Sequence, residues 1–358
     1  MKKEQKIELK APPTLSYIEA IRLRPGMYIG SVDMRGFLHL LKGVLYDSIT
    51  IFQSSNINIE IMGRQSIRFL IRDIPQPIQK YWASWERDFS KNPIFVGLET
   101  LNALSAIFNV QLLDASSTVL LEEKFEAGVA SQSTTNQLWN GTTLQIESTL
   151  DGNIWKDIDL QPTFISNKVA HFAYLNKQVQ FEVQYNTNGR ACNVFYHFKN
   201  GLQDQLRLEA LTGLGQNLFE TSIDQQLDGM HLEIAFAFRE YGVDEAILKS
   251  YVNYHPTHEG GTHVDALLKG LTYGIMRYLK QQQVTHYRIS EKGIRENLIA
   301  FLHLKMDAPT FVGCVKNKLA NPEVLSPISH LVADVLFEQM ESNSQSTQQL
   351  IRKFEVYS

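Results

Sequence analysis

The strongest constraint on the fold is a change in the spacing of apolar residues near residue 55. Residues 36–53 carry apolar side chains at the three- and four-residue spacing of an amphipathic helix. The stretches that follow, residues 57–61 and 66–71, are short, rich in isoleucine and typical of a strand hairpin. Because the apolar stripe of such a helix must be buried against another element, the order predicts an α+β sandwich.

Composition places the chain among ordinary globular proteins. Of its 358 residues, 44% are hydrophobic and 20% are charged, which excludes a disordered chain. The formal net charge of -4 has the opposite sign to that of a strongly basic nucleic-acid binder, so any contact with DNA needs a local basic patch. The two cysteines, Cys192 and Cys314, are far apart, which argues against a zinc site or a disulfide framework.

The polar start lacks the apolar core of a signal peptide, and no apolar run is long enough to cross a membrane. We therefore expect a cytoplasmic protein. Residues 1–13 are expected to form an N-terminal arm. A turn at Asp151–Asn153 suggests a domain boundary, with one domain over 14–152 and a second over 153–358.

The remaining patterns predict the main elements of both domains. Residues 98–108 are expected to form a second amphipathic helix, and the polar residues 129–140 a loop. Residues 264–282 are expected to form a long helix, residues 298–306 an apolar strand, and residues 327–353 a final helix that is interrupted by polar residues.

An ordered set of short motifs carries a family resemblance. The motifs are Ile18–Gly30 (IEAIRLRPGMYIG), Leu101–Ser105 (LNALS), Gly141–Thr143 (GTT), Ala173–Lys177 (AYLNK), Glu259–His263 (EGGTH) and Pro309–Gly313 (PTFVG). In this order and spacing they resemble the N-terminal half of the bacterial gyrase B and topoisomerase IV B proteins, over nearly all of residues 14–350.

The resemblance implies a GHKL-type nucleotide-binding domain, which is an α/β sandwich, followed by a transducer domain with a ribosomal-S5-like fold. In this family ATP bridges the two domains and drives dimerisation around DNA. The fold hydrolyses ATP with a glutamate general base, an asparagine that binds Mg²⁺, an aspartate that reads adenine and a glycine-rich lid over the phosphates.

The chain departs from this pattern at the first helix and at the adenine site. The RPGMYIG motif aligns Gly43 with the general base and Asp47 with the asparagine. Asp47 is therefore the only candidate ligand of Mg²⁺. Asp47 could equally be a charge on the helix surface. Phe69 aligns with the adenine-reading aspartate, and its ring cannot accept the hydrogen bond of the exocyclic amine. Ile71 and Asp73 stand where the family has glycines, and Asp73 could replace the lost aspartate only if the strand slipped or bulged.

The lid and the transducer loop also depart from the family. The lid stretch Lys91–Gly97 has one glycine, a proline and bulky residues, which do not form a phosphate cradle. The family's Gln-Thr-Lys loop aligns with Cys314, Val315 and Lys316, of which only the lysine matches. The resemblance leaves these residues as candidates for binding a nucleotide: Asp47, Arg72, Ile74, Pro75, Gly97, Thr142 and Lys316.

Two further groups of residues have structural interpretations. His255, His258 and His263 resemble a metal cluster, but His263 belongs to the family's EGGTH turn, where we expect it to cap or pack. Cys314 is expected to be a buried, unreactive thiol.

Three functions remain open. The loss of base, adenine reader and lid favours a non-hydrolysing pseudoenzyme that acts as a scaffold or regulatory partner, through a homodimer, a topoisomerase A-type subunit or another protein. The second is a genuine ATP-binding subunit of a type II DNA topoisomerase, and the third is a sensor that uses the emptied pocket. The family continues into a metal-binding TOPRIM domain after the point of Ser358, so we expect no DNA cleavage by this chain alone. The chain is either a fragment or a stand-alone paralogue, and the joint loss of base, adenine reader and lid favours the paralogue.

Overall fold

The computed structural model of the chain describes residues 15–75, 96–135, 141–187, 189–212, 217–239, 247–284, 289–313 and 315–355. The chain forms two compact units. The first unit holds the residues up to 173 together with 178–197, and the second holds 174–177 together with the residues from 198 onward.

The described helices of the first unit include two that begin at residues that cap them. These helices are α1 (Tyr17–Leu23), α2 (Gly26–Ile29), α3 (Met34–Thr50), α4 (Val96–Ala103) and α5 (Pro162–Leu175). Before α1, the Ser16 hydroxyl accepts from the Glu19 amide while the Glu19 carboxylate accepts from the Ser16 amide, which is a capping box. Before α3, the Asp33 carboxylate accepts from two amides of the first turn.

Eight strands form one sheet in the first unit. They are β1 (Asn56–Ile61), β2 (Ser66–Arg72), β3 (Ser105–Leu113), β4 (Val119–Glu126), β5 (Val129–Thr135), β6 (Thr143–Leu150), β7 (Gln180–Thr187) and β8 (Arg190–Tyr196). Their order across the sheet is β5-β4-β3-β6-β2-β1-β7-β8, and every pair is antiparallel except the parallel pair of β1 and β7.

Alternation along the central strands separates a buried face from a polar face. Along β2, Ile67, Phe69 and Ile71 are buried, whereas the residues between them are partly exposed. On the polar face, Arg68 donates to the carboxylate of Glu147 at 2.7 Å, across the β2–β6 pair. Together with the apolar stripe of α3, this sheet confirms the expected α+β fold class.

Two expected elements of the first unit are wrong. The predicted helix over 98–108 ends at Ala103, and β3 begins at Ser105. Residues 129–135 of the predicted loop form β5, which pairs with β4. A polar strand at the edge of a sheet has no apolar alternation to reveal it, because pairing with its neighbour supplies its hydrogen bonds.

The expected boundary after residue 152 falls inside the first unit. The helix α5 and the strands β7 and β8 follow that point in the chain. Because β7 pairs with β1 over six residues, this part of the chain belongs to the first sheet.

The second unit has a five-stranded sheet packed against helices. Its strands are β9 (Asn217–Leu227), β10 (Met230–Arg239), β11 (Ile247–Val252), β12 (His255–Pro256) and β13 (Leu298–Met306), in the order β12-β11-β13-β10-β9. Its helices are α6 (Leu202–Thr212), α7 (Thr262–Gln281), α8 (Glu291–Asn297), α9 (Leu325–Ser342) and α10 (Ser344–Glu355), with a 3₁₀ turn at Pro322–Val324. The sequence patterns missed α6, β9 and β11.

The helices α7 and α9 approach each other closely at two glycines of α7. A Cβ atom built on Gly270 would lie 2.7 Å from the Ser329 carbonyl oxygen and 2.7 Å from the Val332 Cβ. One built on Gly274 would lie 3.0 Å from the Ala333 carbonyl oxygen. In the described part of the chain, no helix is both long enough and apolar enough to span a membrane.

Because of this close approach, Gly270→Ala is expected to reduce stability. The matched control is Gly293→Ala in α8, where the new Cβ would be 3.4 Å from its nearest neighbour, the Ser290 hydroxyl. Both changes gain about 1 kcal/mol of helix propensity, but only the first overpacks a core, which costs roughly 1–3 kcal/mol. Chemical denaturation should therefore give a lower free energy of unfolding for Gly270→Ala than for Gly293→Ala. Equal stabilities would contradict the packing of α7 on α9.

Candidate functional site

The helices α3 and α4 touch through their backbones at Gly43, the residue that we expect to align with the general base. A Cβ atom on Gly43 would lie 2.9 Å from the Gly97 Cα. A Cβ on Gly97 would lie 2.1 Å from the Gly43 carbonyl carbon and 2.4 Å from the Val44 nitrogen. Neither position has room for a side chain, so Gly43 and Gly97 form a helix–helix contact that requires glycine on both sides.

The Asp47 carboxylate caps the start of α4. Its Oδ2 accepts hydrogen bonds from the backbone amides of Gly97 and Leu98, both at 2.9 Å. These amides are among the first in α4, where unpaired N–H groups and the helix dipole favour a negative charge. The residue is only 1% exposed, so the alternative of a surface charge is wrong. Burial raises the pKa of Asp47 to about 7, against the two hydrogen bonds, which lower it.

The residues that align with the family's adenine-reading stretch are packed into the core of the first unit. Phe69, Ile71 and Ile74 are 1%, 0% and 5% exposed. Asp73 is exposed, adopts a left-handed φ of 56° and accepts a hydrogen bond from the Ser55 hydroxyl at 3.3 Å. The strand β2 pairs with β1 and β6 without a bulge, so Asp73 does not replace the lost aspartate.

The other candidates of the first unit lie at different places. Arg72 is on the polar face of the sheet, where its guanidinium donates to the Asn58 side-chain oxygen at 2.6 Å. Ile74 and Thr142 are joined by a backbone hydrogen bond of 3.2 Å, from the Ile74 amide to the Thr142 carbonyl. Thr142 and Pro75 are exposed. The structure thus brings together Gly43, Asp47 and Gly97, and it places Arg72 on the opposite face from Phe69.

Several predicted residues lie in the second unit or outside the described residues. Lys316 is exposed in the second unit, with a left-handed φ of 59°. Cys314 and residues 91–95 of the lid stretch lie outside the described residues, as does the arm over 1–13.

The histidines of the second unit do not form the metal cluster that their spacing suggests. His263 is buried, and its Nε2 is 3.1 Å from the Thr257 hydroxyl, so it packs as expected. Burial lowers its pKa to about 4. His258 is exposed, and the ring of His255 contacts the ring of Phe311.

Comparisons with known proteins agree with the motifs. The family profile described as DNA gyrase B matches residues 194–356. The gyrase B protein of Archaeoglobus fulgidus is 25% identical over 370 residues, which cover 95% of this chain and 57% of the relative. That of Streptococcus pyogenes is 26% identical over 384 residues, which cover 98% of this chain and 58% of the relative. Over nearly its whole length, the chain is similar to DNA gyrase B proteins. It spans somewhat more than half the length of these relatives.

Solved gyrase-type structures share the fold. The 43K ATPase domain of Thermus thermophilus gyrase B, solved with an aminocoumarin, matches with a TM-score of 0.78 and 20% identity over 95% of both chains. The ATP-binding domain of Francisella tularensis topoisomerase IV matches with a TM-score of 0.74 and 21% identity, over 95% of this chain and 96% of that one. The chain therefore shares the fold of these ATPase domains.

The groups present do not fit a Mg²⁺–ATP complex. Mg²⁺ requires an octahedral set of oxygens, including several waters, at about 2.1 Å. Asp47 is sealed from solvent, and its Oδ2 is already committed to two amides. By the motif alignment, Phe69 and Gly43 are expected to stand where gyrase B proteins have the adenine-reading aspartate and the glutamate.

The raised pKa of Asp47 predicts a pH dependence of stability that Asp47→Asn removes. Between the ordinary value of 3.8 and about 7, the folded chain holds a proton that the unfolded chain has released. The free energy of unfolding of the wild type should therefore fall relative to Asp47→Asn as the pH rises through this window, by up to about 4 kcal/mol. Denaturation of both proteins between about pH 4 and pH 8 measures the difference. A difference that does not vary with pH would contradict the burial of this carboxyl.

Proposed function

We propose that the chain is a gyrase-B-like protein that does not hydrolyse ATP and acts as a scaffold or regulatory partner. The observation that carries the proposal is the backbone contact of Gly43 with Gly97, which leaves no space for a general base. We also propose that its two parts are a GHKL-type domain and an S5-like transducer domain, and that it works in the cytoplasm.

The capping of α4 by Asp47 supports the same function. In an ATPase of this fold, the group at this position faces the phosphates and their Mg²⁺. Here the carboxylate binds two amides of α4 and stabilises the start of that helix. A charge-assisted hydrogen bond to a buried carboxylate is worth about 1.5–3 kcal/mol, so detaching Asp47 for a metal would cost stability.

The buried apolar residues of β2 also support the proposal that the chain does not hydrolyse ATP. Phe69 and Ile71 fill the core next to the position where adenine would be read. Their close packing also weakens the sensor hypothesis, which requires an open apolar pocket beside Phe69 and Val96. Val96 is 50% exposed.

Because of Lys316, the second candidate function is that of a genuine ATP-binding subunit of a type II DNA topoisomerase. This lysine aligns with the family residue that reaches the γ-phosphate, and it is exposed. Lysine binds phosphate as a point charge, but without a base or an adenine reader it is an isolated contact.

Partners follow from the names of the relatives. Those proteins are subunits of DNA gyrase. We propose a homodimer or a complex with a topoisomerase A-type subunit as the form in which a non-hydrolysing chain acts. A direct role in binding DNA has less support, because the net charge is -4.

A nucleotide titration tests the proposal. The full chain should release no phosphate from Mg²⁺–ATP above the buffer rate, and calorimetry should detect no binding of ADP or a non-hydrolysable ATP analogue at millimolar concentration. A gyrase B protein with its glutamate intact is the positive control. Turnover that is lost in Asp47→Ala or Lys316→Ala would refute the proposal and favour the second candidate.

Gly43→Glu should not restore activity. The new side chain would collide with Gly97, so the variant should unfold more readily, by roughly 1–3 kcal/mol or more. The control is Gly63→Glu, because a Cβ on Gly63 would meet no atom within 4 Å. A stable Gly43→Glu variant that hydrolyses ATP would show that α4 does not close this position.

A further inference from the structure

Polar residues cluster on one face of the sheet in the second unit, at a place that the family resemblance does not explain. Glu233 on β10 lies opposite Asp224 on β9 and opposite His303 on β13. His231 is two residues before Glu233, so both side chains are on the same face. Strand register alone therefore assembles four titratable side chains from three strands.

Three of these side chains offer ligand atoms to one point. One such atom from each of Asp224, His231 and Glu233 lies within 4.8 Å of the other two. The His231 Nε2 is 2.7 Å from the Asp224 Oδ1, and its Nδ1 is 3.9 Å from the Glu233 Oε1. Donor atoms around a tetrahedral zinc ion are about 3.3 Å apart, which small side-chain rotations would achieve here.

The cluster is open to solvent on one side and buried on the other. The side chains of Asp224, His231 and Glu233 are 43%, 28% and 10% exposed, so an ion can enter from the Asp224 side. A cluster with its carboxylates at the surface is by itself common and carries no conclusion.

A separate observation comes from His303, next to Glu233 on the buried side. It is completely buried, and within the described residues neither of its ring nitrogens has a hydrogen-bond partner. A buried polar group without a partner is unfavourable, and a ligand at this place would offset that cost.

We propose that Asp224, His231 and Glu233 bind one divalent transition-metal ion of the zinc class, with His303 facing the buried side of the site. Mg²⁺ and Ca²⁺ prefer oxygen ligands alone, whereas imidazole mixed with carboxylate selects zinc and its neighbours. The site lies outside the proposed nucleotide region, and the proposal does not depend on the function assigned above.

A lysine competes with the ion. The Lys177 ammonium is paired with the Asp224 Oδ2. Lys305, on the same face as His303, adds a second positive charge near Glu233. A metal ion bound at Asp224 Oδ1 would lie close to the Lys177 ammonium on Oδ2, so the metal and the lysine compete for the charge of this carboxylate.

This competition gives the proposal a sharp test. The full chain should bind one equivalent of Zn²⁺ in a calorimetric titration, and Co²⁺ in its place should show visible absorption of a low-symmetry site. His231→Ala should weaken Zn²⁺ binding at least about tenfold. Lys177→Met should strengthen it about two- to fivefold, the equivalent of one exposed ion pair.

His258→Ala is the matched control, because it removes an exposed imidazole from the same unit but outside the cluster. It should leave Zn²⁺ binding unchanged. Circular dichroism of each variant without metal checks that the fold is intact. Absence of Zn²⁺ binding at micromolar concentration would overturn the proposal. So would equal losses in His231→Ala and His258→Ala, or binding that Lys177→Met leaves unchanged or weakens.

Discussion

The Asp47 carboxylate holds the first turn of α4 against α3, and the crossing of these two helices depends on this contact. Two amides of α4 donate to one carboxylate oxygen in a buried place. The backbones of the two helices can meet only because residues 43 and 97 are both glycine. Two hydrogen bonds and two absent side chains thus fix the crossing of α3 and α4, at the residue that we propose has lost the general base.

The strand β2 also places apolar residues where a polar nucleotide contact would be expected. Phe69 and Ile71 point to the buried face of β2, while Arg72 points to the polar face and binds Asn58. An aspartate at position 69 would be a buried carboxylate, stable only with a partner such as the amine of adenine. Phe69 removes that requirement and adds apolar packing to the core of the first unit.

The features that depend on local pattern and on motif alignment could be predicted from the sequence. The helical spacing of residues 36–53 and the motif RPGMYIG located α3, and alignment placed Gly43 and Phe69 at the emptied functional positions. The reason why residue 43 is glycine could not be predicted, because that reason is Gly97, more than fifty residues away. The role of Asp47 could not be decided from the sequence for the same reason, because its partners are backbone amides of another helix.

The errors of sequence reasoning were also long-range. The polar residues 129–135 form a strand only through their pairing with β4, and β7 joins the first sheet only through its pairing with β1. The cluster of Asp224, His231 and Glu233 has no motif spacing, because strand register brings its members together with His303. The histidines in and beside the EGGTH turn, which are close in sequence, do not converge.

The central claim is that α4 is held against α3 by Asp47 without any nucleotide. Hydrogen exchange at the amides of Gly97 and Leu98 tests it most directly, with and without a millimolar non-hydrolysable ATP analogue and Mg²⁺. We expect both amides to exchange slowly in the free protein and the nucleotide to leave their rates unchanged. Fast exchange in the free protein, with protection only after the nucleotide is added, would contradict the claim.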